Sequence, residues 1–403
     1  MKPVPVIIDT DPGVDDIVAL LLALASPEIE ILAIIVSFGN TDLESSFLNV
    51  LKAYQAVGDH LERYPDHAAR FPNFFASIKT ILARGRGQPL AGQIMDAQYF
   101  HGRDGLGDIS ERHPELGPAN HTSGHPRVQT AQESGSDVCL SLMNSHLPLS
   151  ITYIVLGPLT NFAVLVRKDR DLVASRVGRV VCMGGALDVP GNTSPVAEFN
   201  FFADPFAVKE ILCPAGEPPF PLERFLLVPL DITTSHALPF PVYKERVDDA
   251  FAGVSVPSVS SMKSPLIHFT SSFLKRTRDV MLRFGKDAME LHDIVAVWCA
   301  ISHLPSSEVL ASGWVAERRI FDIERTGELT RGMLVVDRRE GESADTLGTN
   351  RAEVKPIPTR VEVESLEQAL SVGMSKPPGV LCVTKTPGPD VLLELLLKRI
   401  WDV

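Results

Sequence analysis

The chain has 403 residues, 45% of them apolar, which is enough to bury a large core in one large domain or two modest ones. A formal net charge of −12 argues against a nucleic-acid binder, which would present a basic face. No apolar run approaches bilayer-spanning length and the opening Met1-Lys2-Pro3-Val4-Pro5 lacks a signal-peptide form, so a cytoplasmic protein without membrane contact is expected.

In chain order, the β-branched run ending at Ile8 reads as a buried strand. It leads directly into Asp9-Thr10-Asp11-Pro12-Gly13-Val14-Asp15-Asp16, then into the all-apolar helix Ile17 to Leu24. Pro12 biases Asp11 toward an extended backbone, and Gly13 permits a sharp turn. Ile29 to Val36 is a second strand, ended by Ser37-Phe38-Gly39-Asn40, and Leu43 to Val57 is an amphipathic helix. Further strands run from Ile151 to Leu156, Arg179 to Met183 and Phe225 to Leu230; the first two stop at Gly157-Pro158 and Gly184-Gly185. Phe269 to Phe284 reads as an amphipathic helix with Lys275, Arg276 and Arg278 on its solvated face, with a place beside a bound ligand as the open alternative. An apolar helix, Ile294 to Ile301, follows His292-Asp293. Asp59 to Pro72, Ile109 to Asp137, Val254 to Pro265 and Glu340 to Pro358 read as loops, long enough to be insertions or lids. His113, His121 and His125 fall in the second of these and read as solvated.

Strands alternating with helices predict a single α/β domain with a mostly parallel central sheet and helices on both faces, a Rossmann-like arrangement. Ligands of such sheets bind outside the carboxyl ends of the strands, where Asp9 to Asp16, Asn40, Leu156 and Met183 all fall. The five scattered cysteines contain no C-x-x-C pair and read as reduced core thiols. Four carboxylates within eight residues repel one another, so proton sharing or a bound cation must offset them. Helix capping accounts for Asp15 or Asp16 but not for Asp11 as well. An all-oxygen cluster of this kind suits a hard cation such as Ca²⁺ or Mg²⁺.

The octad Asp9 to Asp16 resembles the signature of the inosine–uridine preferring nucleoside hydrolases. The same family order continues through Gly39-Asn40, Pro89-Leu90, His101-Gly102-Arg103-Asp104-Gly105-Leu106-Gly107 and Gly157-Pro158-Leu159-Thr160-Asn161. Met183-Gly184-Gly185, Gly191-Asn192, the run Ala197 to Pro205, Pro229 to Thr233, His292-Asp293 and Gly327 to Gly332 complete it over about the whole chain. The resemblance implies one Ca²⁺ at the pocket floor, held by Asp11, Asp16, Asp293 and the backbone carbonyl of Leu156. It implies that Asp15, Asn40, Asn192, Glu198 and Asn200 grip the ribose hydroxyls, and that Met183 and Phe199 line the sugar pocket. Asp11 would deprotonate the attacking water and His292 would protonate the departing base. His101 either faces the base or orders its glycine-rich loop. The implied reaction is calcium-dependent hydrolysis of a ribonucleoside to free base and ribose, in purine or pyrimidine salvage, by a homodimer or homotetramer.

Chemistry supports that allocation on its own terms. A ribose is a ring of hydroxyls, and each buried hydroxyl left unpaired costs roughly 1–3 kcal/mol, so its pocket needs dense amides and carboxylates. Breaking an N-glycosidic bond builds positive charge on the sugar, which carboxylates stabilise as it forms. Segments near 59–74, 108–137, 214–221 and 340–358 look extra or lengthened relative to the family pattern, and none removes a matched position. A haloacid-dehalogenase-type phosphohydrolase also begins Asp-x-Asp and uses Mg²⁺, but Pro12-Gly13 before Asp15-Asp16 departs from that pattern and leaves His292-Asp293 without a role. Hydrolysis of an unusual ribosyl compound such as nicotinamide riboside, and an inactive ribose- or calcium-binding relative, are the remaining alternatives.

Overall fold

The computed structural model describes residues 2–76, 78–118, 124–214, 216–305, 307, 309–338 and 379–403. The insertion expected near 340–358 and His121 lie outside these residues. Nine strands form one sheet: β1 (Val4–Thr10), β2 (Ile29–Val36), β3 (Thr80–Arg84), β4 (Val128–Thr130), β5 (Ile151–Val155), β6 (Val177–Met183), β7 (Phe225–Val228), β8 (Val315–Arg319) and β9 (Val380–Lys385). Their spatial order is β8-β9-β7-β6-β5-β1-β2-β3-β4, parallel throughout except for the antiparallel β8–β9 pair at one edge.

Alternation along the central strands divides the core. Val6 and Ile8 pack into the cluster holding α1 (Val14–Leu24), α2 (Leu43–Arg63), α3 (Pro265–Arg283) and α4 (His292–Ser302), while Ile7 joins the cluster on the opposite face. The chain leaves β1 toward β2, β3 and β4, then returns to the other side of β1 as β5. That reversal opens a crevice at the carboxyl ends of β1 and β5, the place where parallel sheets bind ligands. Asp11 and Leu156 sit there, one residue past the ends of their strands.

Several sequence expectations need correction. The stretch from Asp59 is helical as far as Arg63 and is followed by a 3₁₀ turn over Pro65–Arg70, with Leu61 before the turn and Phe71 and Phe74 after it packed into the core. The supposed loop Ile109 to Asp137 contains a helical turn (Ile109–Arg112), the edge strand β4 and the start of a helix at Gly135. Lys275 is buried rather than solvated, with its ammonium on the carbonyl of Val256, whereas Arg276 and Arg278 pair with Asp108 and Asp287. All five cysteines are buried and unpaired, as expected of core thiols. Among the described residues, no helix is long and apolar enough to cross a membrane.

Candidate active site

The octad after β1 folds around Asp16. Its Oδ1 accepts from Thr10 Oγ1 (2.5 Å) and from the Asp11 N–H (3.3 Å), and its Oδ2 accepts from the Gly13 N–H (3.0 Å) and Asn40 Nδ2 (2.8 Å). These bonds close the turn and start α1 in one step, with Asp16 reaching back over the helix N-terminus. Asp11 is fully buried. Its Oδ2 accepts from the Asn40 N–H (2.8 Å), while Oδ1 finds no hydrogen-bond partner among the described residues. Two glycines make room for it: a Cβ on Gly39, whose φ is +152°, would lie 2.0 Å from Asp11 Oδ2, and one on Gly157 would lie 2.6 Å from Oδ1.

Asp293 opens α4, so the positive ends of α1 and α4 converge on the same acids. Carboxylate oxygens of Asp15, Asp16 and Asp293 fall within 4.8 Å of one another. Burial, then the charge of Asp16, raises Asp11 well above the usual carboxylate range. Burial and Asp16 likewise push half-exposed Asp15 up to about 7, and burial with Asp15, Asp16 and Asp11 holds Asp293 well above its ordinary value. A cluster that resists ionisation in this way is the arrangement a cation would relieve. The orphaned Asp11 oxygen and the all-oxygen donor set fit such an ion.

Asp9 does not belong to this cluster, contrary to the count of four acids. Its oxygens turn to the opposite face of β1, where Asn161 Nδ2 (2.8 Å) and the Tyr153 hydroxyl (3.1 Å) donate to them; burial nevertheless raises its carboxyl to about 7.

Above the acids lies a cavity of about 690 Å³, within the range of small-ligand sites. Asp15, Asn40, His101, Leu156, Met183, Asn192, Glu198, Phe199, Asn200, His292 and Asp293 all line it, whereas Asp11 and Asp16 lie buried behind its wall. The amides are oriented by the backbone. Asn192 Oδ1 accepts from the Phe199 N–H (3.0 Å), and Asn200 Nδ2 donates to the Leu156 carbonyl (2.6 Å). Glu198 caps the short helix Phe199–Ala203, accepting from the N–H groups of Asn200 (2.8 Å), Gly185 (2.9 Å) and Phe201 (3.1 Å).

His101 stands between the cavity and the start of α1. It lines the cavity, and its Nδ1 accepts from the Val14 N–H (3.1 Å), so the neutral ring carries its proton on Nε2. Burial, helped by the nearby His292, lowers its pKa to about 3.

His292 behaves in the opposite way. Burial pulls its pKa down, but a hydrogen bond from Nε2 to Glu290 (3.3 Å) and the charges of Asp15, Glu290 and Glu198 leave it raised overall. Thr233 Oγ1 contacts its Nδ1 at 2.8 Å. Glu290 was not singled out from the sequence, and it too lines the cavity, linked to Lys286 on its far oxygen. Its i−2 spacing from a histidine in an extended stretch was the one available signal. Met281 and Phe284 bring the α3 end to the wall, as the position of that helix allowed.

An α/β sheet with a carboxylate-floored, amide-walled cavity at its switch point defines an enzyme for a small, hydroxyl-rich ligand. The chain belongs to the inosine-uridine preferring nucleoside hydrolase family, whose model matches residues 6–368, and it is a ribonucleoside hydrolase, releasing base and ribose. It is 33% identical over 337 residues to the inosine-uridine preferring nucleoside hydrolase of Leishmania major, covering 84% of this chain and 88% of that protein. It is 32% identical over 335 residues to a pyrimidine-specific ribonucleoside hydrolase of Klebsiella pneumoniae, covering 83% and 88%. The fold is similar to that of a solved inosine-guanosine nucleoside hydrolase (TM-score 0.67, 22% identity, covering 99% and 98%). It is also similar to a plant nucleoside hydrolase (TM-score 0.66, 23% identity, covering all of both chains).

Proposed function

We propose that this ribonucleoside hydrolase depends on Ca²⁺, held by Asp11, Asp16, Asp293 and the Leu156 carbonyl, and acts on common purine or pyrimidine nucleosides in salvage. The observation that carries the reading is the acid cluster at the cavity floor, with an Asp11 oxygen buried behind it that has no hydrogen-bond partner among the described residues. A bound Ca²⁺ supplies oxygen coordination that orders a water and the sugar hydroxyls. Asp15, Asn40, Asn192, Glu198 and Asn200 hold the ribose, with Met183 and Phe199 against it. Their carboxylates stabilise positive charge as the bond between the anomeric carbon and the base nitrogen lengthens. Asp11 takes a proton from the water as its oxygen bonds to the anomeric carbon. His292 gives its proton to the base nitrogen as the glycosidic bond breaks. His101, in the lining of the same cavity, faces the base. Tyr99, Phe100 and Phe284, also in the lining, offer flat faces for a base. A cytoplasmic homodimer or homotetramer is part of the proposal.

The test is ribose release from inosine, uridine, adenosine, cytidine and nicotinamide riboside, with and without chelator. Chelation is expected to abolish turnover and lower the melting temperature, with Ca²⁺ restoring both; indifference of both to exhaustive chelation removes the metal. The effect carries a pH signature. An acid whose folded pKa exceeds its unfolded value holds more protons folded than unfolded, so its contribution to stability falls as pH rises from about 4 to about 7. At about pH 5.5 and about pH 7.5 the melting temperature of the chelated enzyme also reflects His60, His101, His125, His236, His268 and His303, whose lowered pKa values act in the opposite sense, so the shift that Ca²⁺ adds at each pH is the quantity to compare. Stabilisation by Ca²⁺, which displaces those protons, should grow over the same interval. A calcium-induced shift equal at both pH values contradicts the placement of the ion on these acids.

Glu290 supports His292 as the acid. Hydrogen bonds to charged groups are worth roughly 1.5–3 kcal/mol, so Glu290→Gln should slow inosine cleavage by roughly tenfold or more. It should spare p-nitrophenyl riboside, whose leaving group departs without a proton. Equal losses on both substrates would make Glu290 a packing residue.

A further inference from the structure

We propose that His113, Glu115 and His268 form a second metal site, distinct from the acidic floor of the cavity and suited to a borderline divalent cation such as Zn²⁺. The three side chains each offer one ligand atom, and these atoms lie within 4.8 Å of one another. His113 Nδ1 is 3.0 Å from Glu115 Oε1, and His268 Nε2 is 3.1 Å from the same oxygen. Ligands of a tetrahedral zinc, bound at about 2.0–2.2 Å, stand roughly 3.3 Å apart, so small adjustments would admit an ion. The two imidazole rings meet edge to face, with centroids 5.3 Å apart at 86°, so each directs a nitrogen toward the shared carboxylate.

The site is built rather than incidental. Both histidines are buried, at 3% and 2% exposure, and His268 is held on α3 with its Nδ1 on Ser258 Oγ (2.9 Å). That bond leaves Nε2 for the site and fixes the ring, the outer support that metal-binding histidines ordinarily have. Burial lowers the pKa of His268, favouring the unprotonated ring a metal requires. Glu115 is half-exposed, which leaves an entry path and a fourth position for water. Lys263, whose charge bears on His268, is already paired with Asp248. Two imidazoles and one carboxylate suit zinc-like ions, in contrast to the all-oxygen floor. None of the three residues lines the active-site cavity.

Its position gives the site a use. His113 follows the helical turn that continues from the loop carrying His101, and His268 lies on α3, whose far end supplies Met281 and Phe284 to the cavity wall. Arg112 already ties these parts together, donating to the Gly107 carbonyl (2.6 Å) and the Ser272 carbonyl (2.7 Å). A metal at His113, Glu115 and His268 would clamp the loop to the helix. It would thereby steady the base end of the pocket without touching the substrate.

The test uses the full-length enzyme saturated with Ca²⁺ and then titrated with Zn²⁺ or, as a visible probe, Co²⁺. One additional ion per chain is expected, with a visible Co²⁺ absorption band and a higher melting temperature. Loss of even an outer support costs roughly 10–100-fold in metal affinity, so Glu115→Gln and His268→Gln should each weaken binding by roughly 100-fold or more. Glu115→Gln keeps an acceptor oxygen for the two imidazoles and, at an exposed position, leaves the fold and inosine turnover as the control. If wild-type enzyme takes up no ion beyond its calcium, or if the Glu115→Gln enzyme binds Co²⁺ as wild type does, the three residues are a hydrogen-bonded triad and the proposal is wrong.

Discussion

Replacing Asp11 by Asn is expected to slow ribose release by roughly 10²–10⁴-fold, the usual cost of removing a general base. Because the same carboxylate is proposed as a metal ligand, the loss should also appear as weaker Ca²⁺ dependence. The fold should survive, for a specific reason. Asp11 is buried with one oxygen bonded to the Asn40 N–H and the other unpartnered, and its carboxyl already resists ionisation. An amide of nearly the same shape keeps the Asn40 bond through its oxygen and carries no charge to bury. Calorimetry in chelator should therefore show a melting temperature equal to or above that of wild type, while kcat collapses. Near-normal turnover in a folded Asp11→Asn enzyme would falsify the assignment of this residue.

The second large effect separates leaving-group chemistry from sugar recognition. His292→Ala should cost inosine and uridine roughly 10²–10⁴-fold and barely touch p-nitrophenyl riboside, because nitrophenolate needs no proton. Glu198→Ala should instead depress all substrates alike, since each presents the same ribose. The structure adds a qualification for the second variant. Glu198 accepts the N–H groups of Asn200 and Phe201 at the start of the Phe199–Ala203 helix and that of Gly185 beyond β6, so its removal also costs about 1–2 kcal/mol of local stability. The melting temperature, measured beside the rates, distinguishes lost contact from lost helix. Should His292→Ala lose as much on the activated riboside as on inosine, His292 is a structural neighbour of Asp293 and not the acid.

The strand-turn-helix from Val4 to Leu24 was legible because every requirement there is local. A β-branched run, a Pro-Gly turn and an apolar run need no partner to declare themselves. The central strands β2, β5 and β6 were readable for the same reason, being almost wholly buried and mostly apolar. The edge strands were not. β4 has three residues, and β8, Val-Ala-Glu-Arg-Arg, is largely solvated, so neither length nor alternation marks them. They become strands because a neighbour already offers unpaired backbone groups.

The candidate site divides along the same line. Which acids, amides and histidines could take part was written in the order of the motifs, and the structure brings those residues around one cavity. Which carboxylate does which task was not. Asp9 and Asp11 are two apart on one strand end, yet Asp9 is satisfied by Asn161 and Tyr153, more than a hundred residues away, while Asp11 is left with an unpartnered oxygen. Glu290 and the His113–Glu115–His268 cluster likewise emerge only when α3 packs against α2 and the His101 segment and α4 against α1 and β6. Local sequence determined the strand ends, the turn and the stock of polar groups, because these follow from short-range sterics and burial. Tertiary packing alone decided how those groups are charged and paired, because desolvation and hydrogen bonding depend on what the rest of the chain places beside them.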